Sequence, residues 1–201
     1  MRRAIAETMA LSARIPQFTL TRTMALDAVE HERGRLRGAG EQVSYQDFFV
    51  AAAARALRAH PALNASFDDD AIVIHGAVNV GIAIALPDGL VGPAIMDADR
   101  RTVVEIATER RRLTDAVYAG RCGGREFYGA TFTISNLGPL GVESFQALVI
   151  PPQAAILALG TVAERRASVS LSCDHRVVDG APAAAFLATL ADKLATPEVG
   201  A

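Results

Sequence analysis

The chain has 201 residues, of which 51% are hydrophobic and 21% are charged, so it holds enough apolar material for a core and is unlike a disordered chain. Its 20 basic and 22 acidic residues give a net charge of −2, which excludes a bulk attraction to nucleic acid or to an anionic membrane. Two cysteines do not make a disulfide framework or a metal-ligand pair, and they favour a reducing, cytoplasmic setting.

The first half of the chain alternates helical and strand patterns, with no apolar run long enough for a membrane span and no signal-peptide core. Asp27 is expected to cap the second helix, and Ser44 with Asp47 forms a capping-box pattern for the third. Pro16 and Pro61 end the first and third helices. The predicted elements are a helix over 2–13, a strand over 18–26, and helices over 27–37 and 45–60.

The second half is rich in strands. Apolar, β-branched runs followed by Pro-Asp-Gly predict a hairpin, and Thr102 caps a long amphipathic helix that a glycine-rich connection follows. The predicted elements are strands over 72–75, 78–86, 90–95, 131–135, 154–159 and 168–172, and helices over 102–119 and 181–194. This mixture predicts one domain of the α/β (α+β) class, with a mixed sheet and flanking helices.

The four histidines are the natural candidates for a general base. His31 lies among charges on a predicted surface helix, His60 ends a helix before a proline, and nothing converges on His75. His175 differs, because it follows an apolar strand, precedes a helix and has charged neighbours on both sides. The residues alone leave its role open between functional and structural.

The sequence around His175 resembles a known family signature. The stretch over 170–180, Ser-Leu-Ser-Cys-Asp-His-Arg-Val-Val-Asp-Gly, is similar to that of the dihydrolipoamide acyltransferases, the core components of 2-oxo acid dehydrogenase complexes. Chloramphenicol acetyltransferase shares the His-x-x-x-Asp-Gly kernel and the fold. The stretches over 131–138 and 151–160 match the same family in the expected order. The resemblance implies a chloramphenicol acetyltransferase-like sandwich and one acyltransferase catalytic domain over residues 1–201, with no lipoyl or peripheral-subunit-binding domain.

The resemblance implies catalytic roles for three residues. His175 would take the proton from an attacking thiol or hydroxyl, its imidazole held by its own backbone carbonyl. Ser135 would donate a hydrogen bond to the oxyanion of the tetrahedral intermediate, although from the residues alone it reads as a loop-entry serine. Asp179 is either a second acid or base or, as we prefer, a structural partner of Arg2 or Arg3.

Three neighbours of His175 are expected to have structural roles. Asp174 and Arg176 would support the loop, and Cys173 is interpreted as buried packing and not as a nucleophile.

The family also implies the substrates and the assembly. Coenzyme A enters as acyl-CoA, a co-substrate, with no metal and with no lipoyl group on this chain. The expected assembly is a homotrimer with active sites between subunits, His175 from one subunit and Ser135 from the next. CoA and the acceptor would enter from opposite ends, and no nucleic acid or membrane partner is expected.

Four departures from the family pattern set our expectation of the acceptor. The chain begins at the first helix of the catalytic domain, only residues 161–167 stand where a hairpin is usual, residues 196–201 lack an apolar anchor, and Gly92 replaces a common threonine. They favour a free-standing trimer that acetylates a small-molecule hydroxyl, such as a tetronate-like secondary metabolite. The alternative is the catalytic core of a dihydrolipoamide acyltransferase, and an inactive scaffold is disfavoured because His175, Ser135 and Asp179 are intact.

Overall fold

A six-stranded mixed sheet organises residues 2–199, the part of the chain that the computed structural model describes. The α-helices are α1 (Arg2–Ser12), α2 (Asp27–Gly38), α3 (Tyr45–Ala59), α4 (Val103–Tyr118), α5 (Gly124–Tyr128) and α6 (Gly180–Ala195). The strands are β1 (Gln17–Ala25), β2 (Ala65–Asp68), β3 (Ala71–Ile74), β4 (Val80–Ile82), β5 (Ile84–Leu86), β6 (Gly89–Val91), β7 (Ala94–Ile95), β8 (Phe132–Asn136), β9 (Ala155–Ala163) and β10 (Arg166–Asp174).

The strand order of the main sheet is β1-β10-β9-β8-β4-β7. Strand β8 runs parallel to both β9 and β4, and the other neighbours are antiparallel. Strands β2 and β3 form one separate hairpin, and β5 and β6 form another. The observed architecture is therefore the predicted mixed sheet with flanking helices.

The two faces of the sheet differ in chemistry because side chains alternate along each strand. One face carries a row of aliphatic residues in register, in which Leu171, Leu157 and Ile134 are fully buried. Helix α6 packs on β1 and β10 at this face, and α3 packs on α6 and α4. This face holds the main hydrophobic core.

The opposite face of the sheet is lined by hydroxyl groups. The side chains of Thr19 and Ser172 lie 3.0 Å apart across β1 and β10, and those of Thr21 and Ser170 lie 2.9 Å apart. A chain segment over 141–150 crosses this face and passes so close to Gly160 that a Cβ there would lie 1.9 Å from the Glu143 carbonyl oxygen. Ser135 is on this polar, loop-covered face, because it is in register with Ala158 and Ser170.

Most predicted elements are present with ends shifted by one to a few residues, and the capping boxes of α3 and α4 are confirmed. Asp27 does not cap α2: it is the first helical residue, and its carboxylate lies 3.3 Å from Arg165. The connection over 161–167 is mostly strand, because β9 and β10 continue to a two-residue turn at Glu164 and Arg165, which have φ values of 49° and 58°. Helix α5 and strand β2 were not predicted.

Near the end of the described chain, Glu198 contacts two basic residues. Glu198 lies 3.0 Å from Lys193 and 3.3 Å from Arg55, whereas Gly200 and Ala201, part of the expected anchor-free terminus, lie outside the described residues. Within residues 2–199, none of the helices has the length and hydropathy that crossing a membrane requires. The same residues include no group of three His, Cys, Asp or Glu side chains arranged for a metal ion.

Candidate active site

His175 is positioned by the strand that precedes it. Strand β10 ends at Asp174, and the His175 backbone N–H donates to the Pro16 carbonyl at 2.8 Å, which ties the residue to the start of β1. The imidazole packs against Phe18 with ring centroids 4.7 Å apart. Its side chain is 52% exposed, so the ring is held at its base while an edge remains open to a substrate.

The carboxylate of Asp179 faces His175. Its Oδ1 lies 3.4 Å from His175 Nδ1, one helical turn along the chain, at the beginning of α6. A carboxylate at Nδ1 favours the tautomer with hydrogen on that nitrogen and leaves Nε2 as the free base. The expected hold of the ring by its own carbonyl is therefore replaced by a contact with Asp179.

The expected pairing of Asp179 with Arg2 or Arg3 is wrong within this chain. Arg3 instead lies 2.9 Å from Glu7 on the exposed face of α1, and His175 is the ion-pair partner that residues 2–199 give Asp179. The physical reason is position: Asp179 immediately precedes α6 and is 80% exposed beside the histidine. Its geometry favours a role in orienting the imidazole.

Asp174 and Arg176, the residues on either side of His175, hold the loop by pairing with each other, as expected of supporting residues. The Asp174 carboxylate is buried and accepts hydrogen bonds from Arg176 Nη2 at 2.7 Å, from Nε at 3.0 Å and from the Arg176 backbone N–H at 2.9 Å. The guanidinium also lies 4.3 Å from the centroid of the Phe67 ring. Because these contacts flank His175 on both sides, they fix the direction in which it projects.

Cys173 is a core residue, as the sequence predicts. Its side chain is fully buried, and burial, followed by the nearby Asp174 charge, raises the pKa of the thiol to about 12. A thiol in this state does not act as a nucleophile near neutral pH.

Ser135 lies on β8, half-buried, with its side chain on the hydroxyl face. It is opposite Ala158 on β9, which is opposite Ser170 on β10. His175 follows Ser170 by five residues, so the Cα atoms of Ser135 and His175 are roughly 15–20 Å apart. One chain therefore does not bring these two predicted site residues to a common reacting atom.

Three cavities lie near the part of β8 that carries Ser135, two beyond the end of the strand and one before Ser135. Beyond its end, a cavity of about 400 Å³ is lined by Tyr45, Arg110 and Asn136, among others. A neighbouring cavity of about 520 Å³ adds Arg37 and Arg111 to its lining. This end of the strand therefore offers a cationic surface.

Before Ser135, a cavity of about 370 Å³ lies against Thr133. Thr133 and Gln153 are buried polar residues of its lining, and the Thr133 hydroxyl donates to Gln153 Oε1 at 2.7 Å. Sequence reasoning missed both residues, because a threonine in a strand and a glutamine after two prolines carry no local sign of a shared cavity.

The remaining histidines lie away from these features. His31 is exposed on α2, and His60 Nε2 lies 2.8 Å from the Thr189 hydroxyl. Burial lowers the pKa of His75, and its backbone is tied to Asn64. His175 is thus the histidine with an exposed nitrogen beside a positioned carboxylate.

The chain is similar to known proteins in both sequence and fold. Residues 1–200 match the model of the family described as 2-oxoacid dehydrogenases acyltransferase (catalytic domain). The chain is 36% identical over 199 residues to a dihydrolipoyllysine-residue acetyltransferase component of the mitochondrial pyruvate dehydrogenase complex from Dictyostelium discoideum, covering 91% of this chain and 31% of the relative. It spans between 31% and 46% of the length of the first curated relatives that it matches.

Solved structures give the same result. A probable dihydrolipoamide acetyltransferase from Listeria monocytogenes superposes with a TM-score of 0.93 at 29% identity, covering 100% of this chain and 94% of that one. A dihydrolipoamide acetyltransferase from Azotobacter vinelandii, studied for the roles of a serine, a histidine and an asparagine in its catalytic mechanism, gives 0.90 at 28% identity, covering 97% and 88%. Chloramphenicol acetyltransferase gives 0.64 at 17% identity, covering 94% of each chain, which confirms the expected fold.

These comparisons correct the expectation of the acceptor. The relatives at 28% identity or more are named dihydrolipoyllysine-residue or dihydrolipoamide acetyltransferases, whereas chloramphenicol acetyltransferase, at 17% identity, shows the fold alone. The prediction of a secondary-metabolite O-acetyltransferase is therefore wrong, and the alternative agrees with the relatives. The prediction depended on short connections and on the ends of the chain, which do not report on the acceptor.

Proposed function

This chain belongs to the family of 2-oxoacid dehydrogenase acyltransferase catalytic domains, and from that premise we propose that it transfers an acyl group between the thiol of coenzyme A and the thiol of a dihydrolipoyl group. The observation that carries the proposal is the family match over residues 1–200, which includes the histidine with a polar residue four positions later. In the Azotobacter enzyme the named asparagine also follows the named histidine by four positions. Here Asp179 stands at that position.

The proposed chemistry begins at His175. Its Nε2 takes the proton of the attacking thiol, and the sulfur forms a bond to the thioester carbonyl carbon. The carbonyl oxygen becomes an oxyanion that the Ser135 hydroxyl stabilises by a hydrogen bond. The intermediate then breaks the bond to the leaving sulfur, which takes the proton back from His175. Asp179 orients the ring, a positioning role supported by the 3.4 Å contact.

The site is proposed to lie between two copies of the chain. The separation of roughly 15–20 Å between Ser135 and His175 supports this, since both must reach one tetrahedral carbon. A homotrimer places the histidine of each copy against the serine of the next. The open edge of the His175 ring is the surface that the neighbouring copy would cover.

The cationic end of β8 is the proposed entry of coenzyme A. Its phosphates require positive charge and hydrogen-bond donors. Arg37 and Arg111 provide the charge around two adjoining cavities, whose lining also holds one acidic residue, Glu41, and Arg110 adds donor groups. Arg110 is itself anchored to the buried Asp47 carboxylate at 2.6 Å, so its position is fixed before a ligand binds. The thiol end of the cofactor would then point along β8 towards Ser135.

Two experiments test the proposal. Acetyl transfer from acetyl-CoA to dihydrolipoamide is followed by thioester formation, with His175→Ala as the impaired variant and His31→Ala, on the exposed face of α2, as its control. We expect transfer by the native chain and by the control. No transfer to dihydrolipoamide or to a lipoyl domain by the native protein would contradict the proposal.

The second experiment tests the shared site. His175→Ala and Ser135→Ala chains, each strongly impaired alone, are produced together so that they assemble into mixed trimers. If every site takes its histidine and its serine from different copies, random mixing restores about one quarter of native activity. A mixture as inactive as its components would place both residues in the same copy.

A further inference from the structure

The cavity beside Thr133 is built around a fixed amide. Gln153 is only 7% exposed, and its Oε1 accepts the Thr133 hydroxyl proton at 2.7 Å. Within residues 2–199 the Nε2 group of Gln153 has no hydrogen-bond partner, and the residue lines the cavity of about 370 Å³. This amide nitrogen carries two donor hydrogens, and a ligand that displaces water from the cavity must accept them or lose free energy. A carbonyl oxygen of a ligand is the complementary group.

The walls of this cavity suit an aliphatic chain. Phe127, Ile150 and Pro152 contribute apolar surface around the polar pair. One glycine keeps the cavity open, because a Cβ at Gly92 would meet no atom within 4 Å. Gly92 belongs to the lining, so a side chain added there projects into unfilled space.

The position of the cavity relates it to the transferred group. Thr133 and Ser135 share one face of β8 and lie about 7 Å apart along the strand. The cavity and the arginine-lined cavity are therefore at opposite sides of Ser135 along β8. A ligand in the Thr133 cavity approaches the acyl carbon from the side away from the proposed coenzyme A entry.

We infer that Gln153, held by Thr133, determines acceptor specificity by donating a hydrogen bond to the amide carbonyl of the dihydrolipoyl chain, an inference that rests on the proposed function. In dihydrolipoamide four methylene groups separate the nearer thiol-bearing carbon from that carbonyl, an extended length of roughly 6 Å. This length is comparable to the spacing between Ser135 and Thr133. A thiol at the acyl carbon thus places the amide beside Gln153.

The test compares two acceptors, dihydrolipoamide and octane-1,3-dithiol, which has the same dithiol and lacks the amide. For Gln153→Met we expect kcat/KM for dihydrolipoamide to fall about 10-fold, the value of one neutral hydrogen bond, and kcat/KM for octane-1,3-dithiol to change less than about 2-fold. Gln146→Met, an exposed glutamine in the segment over 141–150, is the matched control and should change neither value. Equal losses for both acceptors, or no loss for either, would overturn the inference.

A second variant tests the cavity itself. Gly92→Phe should raise KM for dihydrolipoamide several-fold and leave KM for acetyl-CoA unchanged, because its bulky side chain fills the cavity beside Thr133 and not the arginine-lined one. An unchanged acceptor KM would contradict the assignment of the cavity. If the native chain acetylates neither dithiol, the proposed function fails on its own. Binding of oxidised lipoamide, followed by saturation-transfer NMR, then still decides between the native chain and Gln153→Met.

Discussion

Replacing Arg176 with methionine removes the positive partner of a buried carboxylate and keeps much of the side chain's apolar bulk. The Asp174 side chain is 2% exposed, whereas that of Arg176 is 38% exposed, so solvent reaches only the arginine side of the pair. In the variant, the Asp174 charge keeps the hydrogen bond from the backbone N–H of residue 176 and loses those from the guanidinium. The introduced methionine side chain continues to pack against Phe67.

The magnitude follows from these contacts. Breaking a buried ion pair by removing one partner costs about 3–5 kcal/mol, and losing a cation–π contact adds about 0.5–1 kcal/mol. The retained backbone hydrogen bond and the partial exposure of Arg176 offset part of this cost. We therefore expect Arg176→Met to lower the free energy of unfolding by about 3 kcal/mol. The kcat should fall as well, because His175 is held between the paired residues.

The assay is urea unfolding of Arg176→Met, Asp174→Asn and the double variant at one pH and one protein concentration. The double variant contains no buried charge at this position, so we expect it to be more stable than the sum of the single losses predicts, with a coupling of about 2 kcal/mol. A loss below about 1 kcal/mol in Arg176→Met, or strictly additive losses, would refute the reasoning that this pair supports the loop.

Three further outcomes are expected. His175→Ala should lower kcat by at least about 100-fold and Ser135→Ala by about 10- to 1000-fold, whereas an effect on KM alone would make either a binding residue. The folded pKa of Cys173 is about 12, whereas an unfolded thiol titrates near 8.5. The stability that the buried thiol contributes is therefore full below about pH 8.5 and is lost as the pH rises towards 12. Cys173→Ala should lose less stability over that interval, as unfolding at several pH values will measure. Glu164→Asn with Arg165→Gly should raise the free energy of unfolding by about 1–2 kcal/mol, since both positions have φ near +50°, and an unchanged thermal midpoint would contradict the strain.

The elements near the candidate site were predictable where the signal is local. The Ser44–Asp47 and Thr102–Glu105 capping boxes lie within four residues, and both are present. The strand that ends before His175 was predicted by its apolar residues, although it begins earlier than expected. Local chemistry gives the type of an element more reliably than its ends.

Contacts between distant residues were not predictable in the same way. The partner expected for Asp179 was an arginine, yet the carboxylate faces the histidine one turn before it, because α6 begins at Gly180. Thr133 and Gln153 are 20 residues apart and meet only after β8 and β9 pair. Helix α5 was missed because it follows Gly123, begins with Gly124 and has only four other residues, a composition typical of a loop.

The paired hydroxyl groups of β1 and β10 also determine where His175 can be. A slip of β1 by one residue would turn Phe18 and Leu20 towards the polar face and would break the pairs at Thr19 and Thr21. It would also move the Pro16 carbonyl, which accepts the His175 N–H, by about 3.3 Å. The register between β1 and β10 thus sets the position of the His175 imidazole. Substitutions in the middle of β1 that loosen this register will therefore change activity although they lie far from the imidazole.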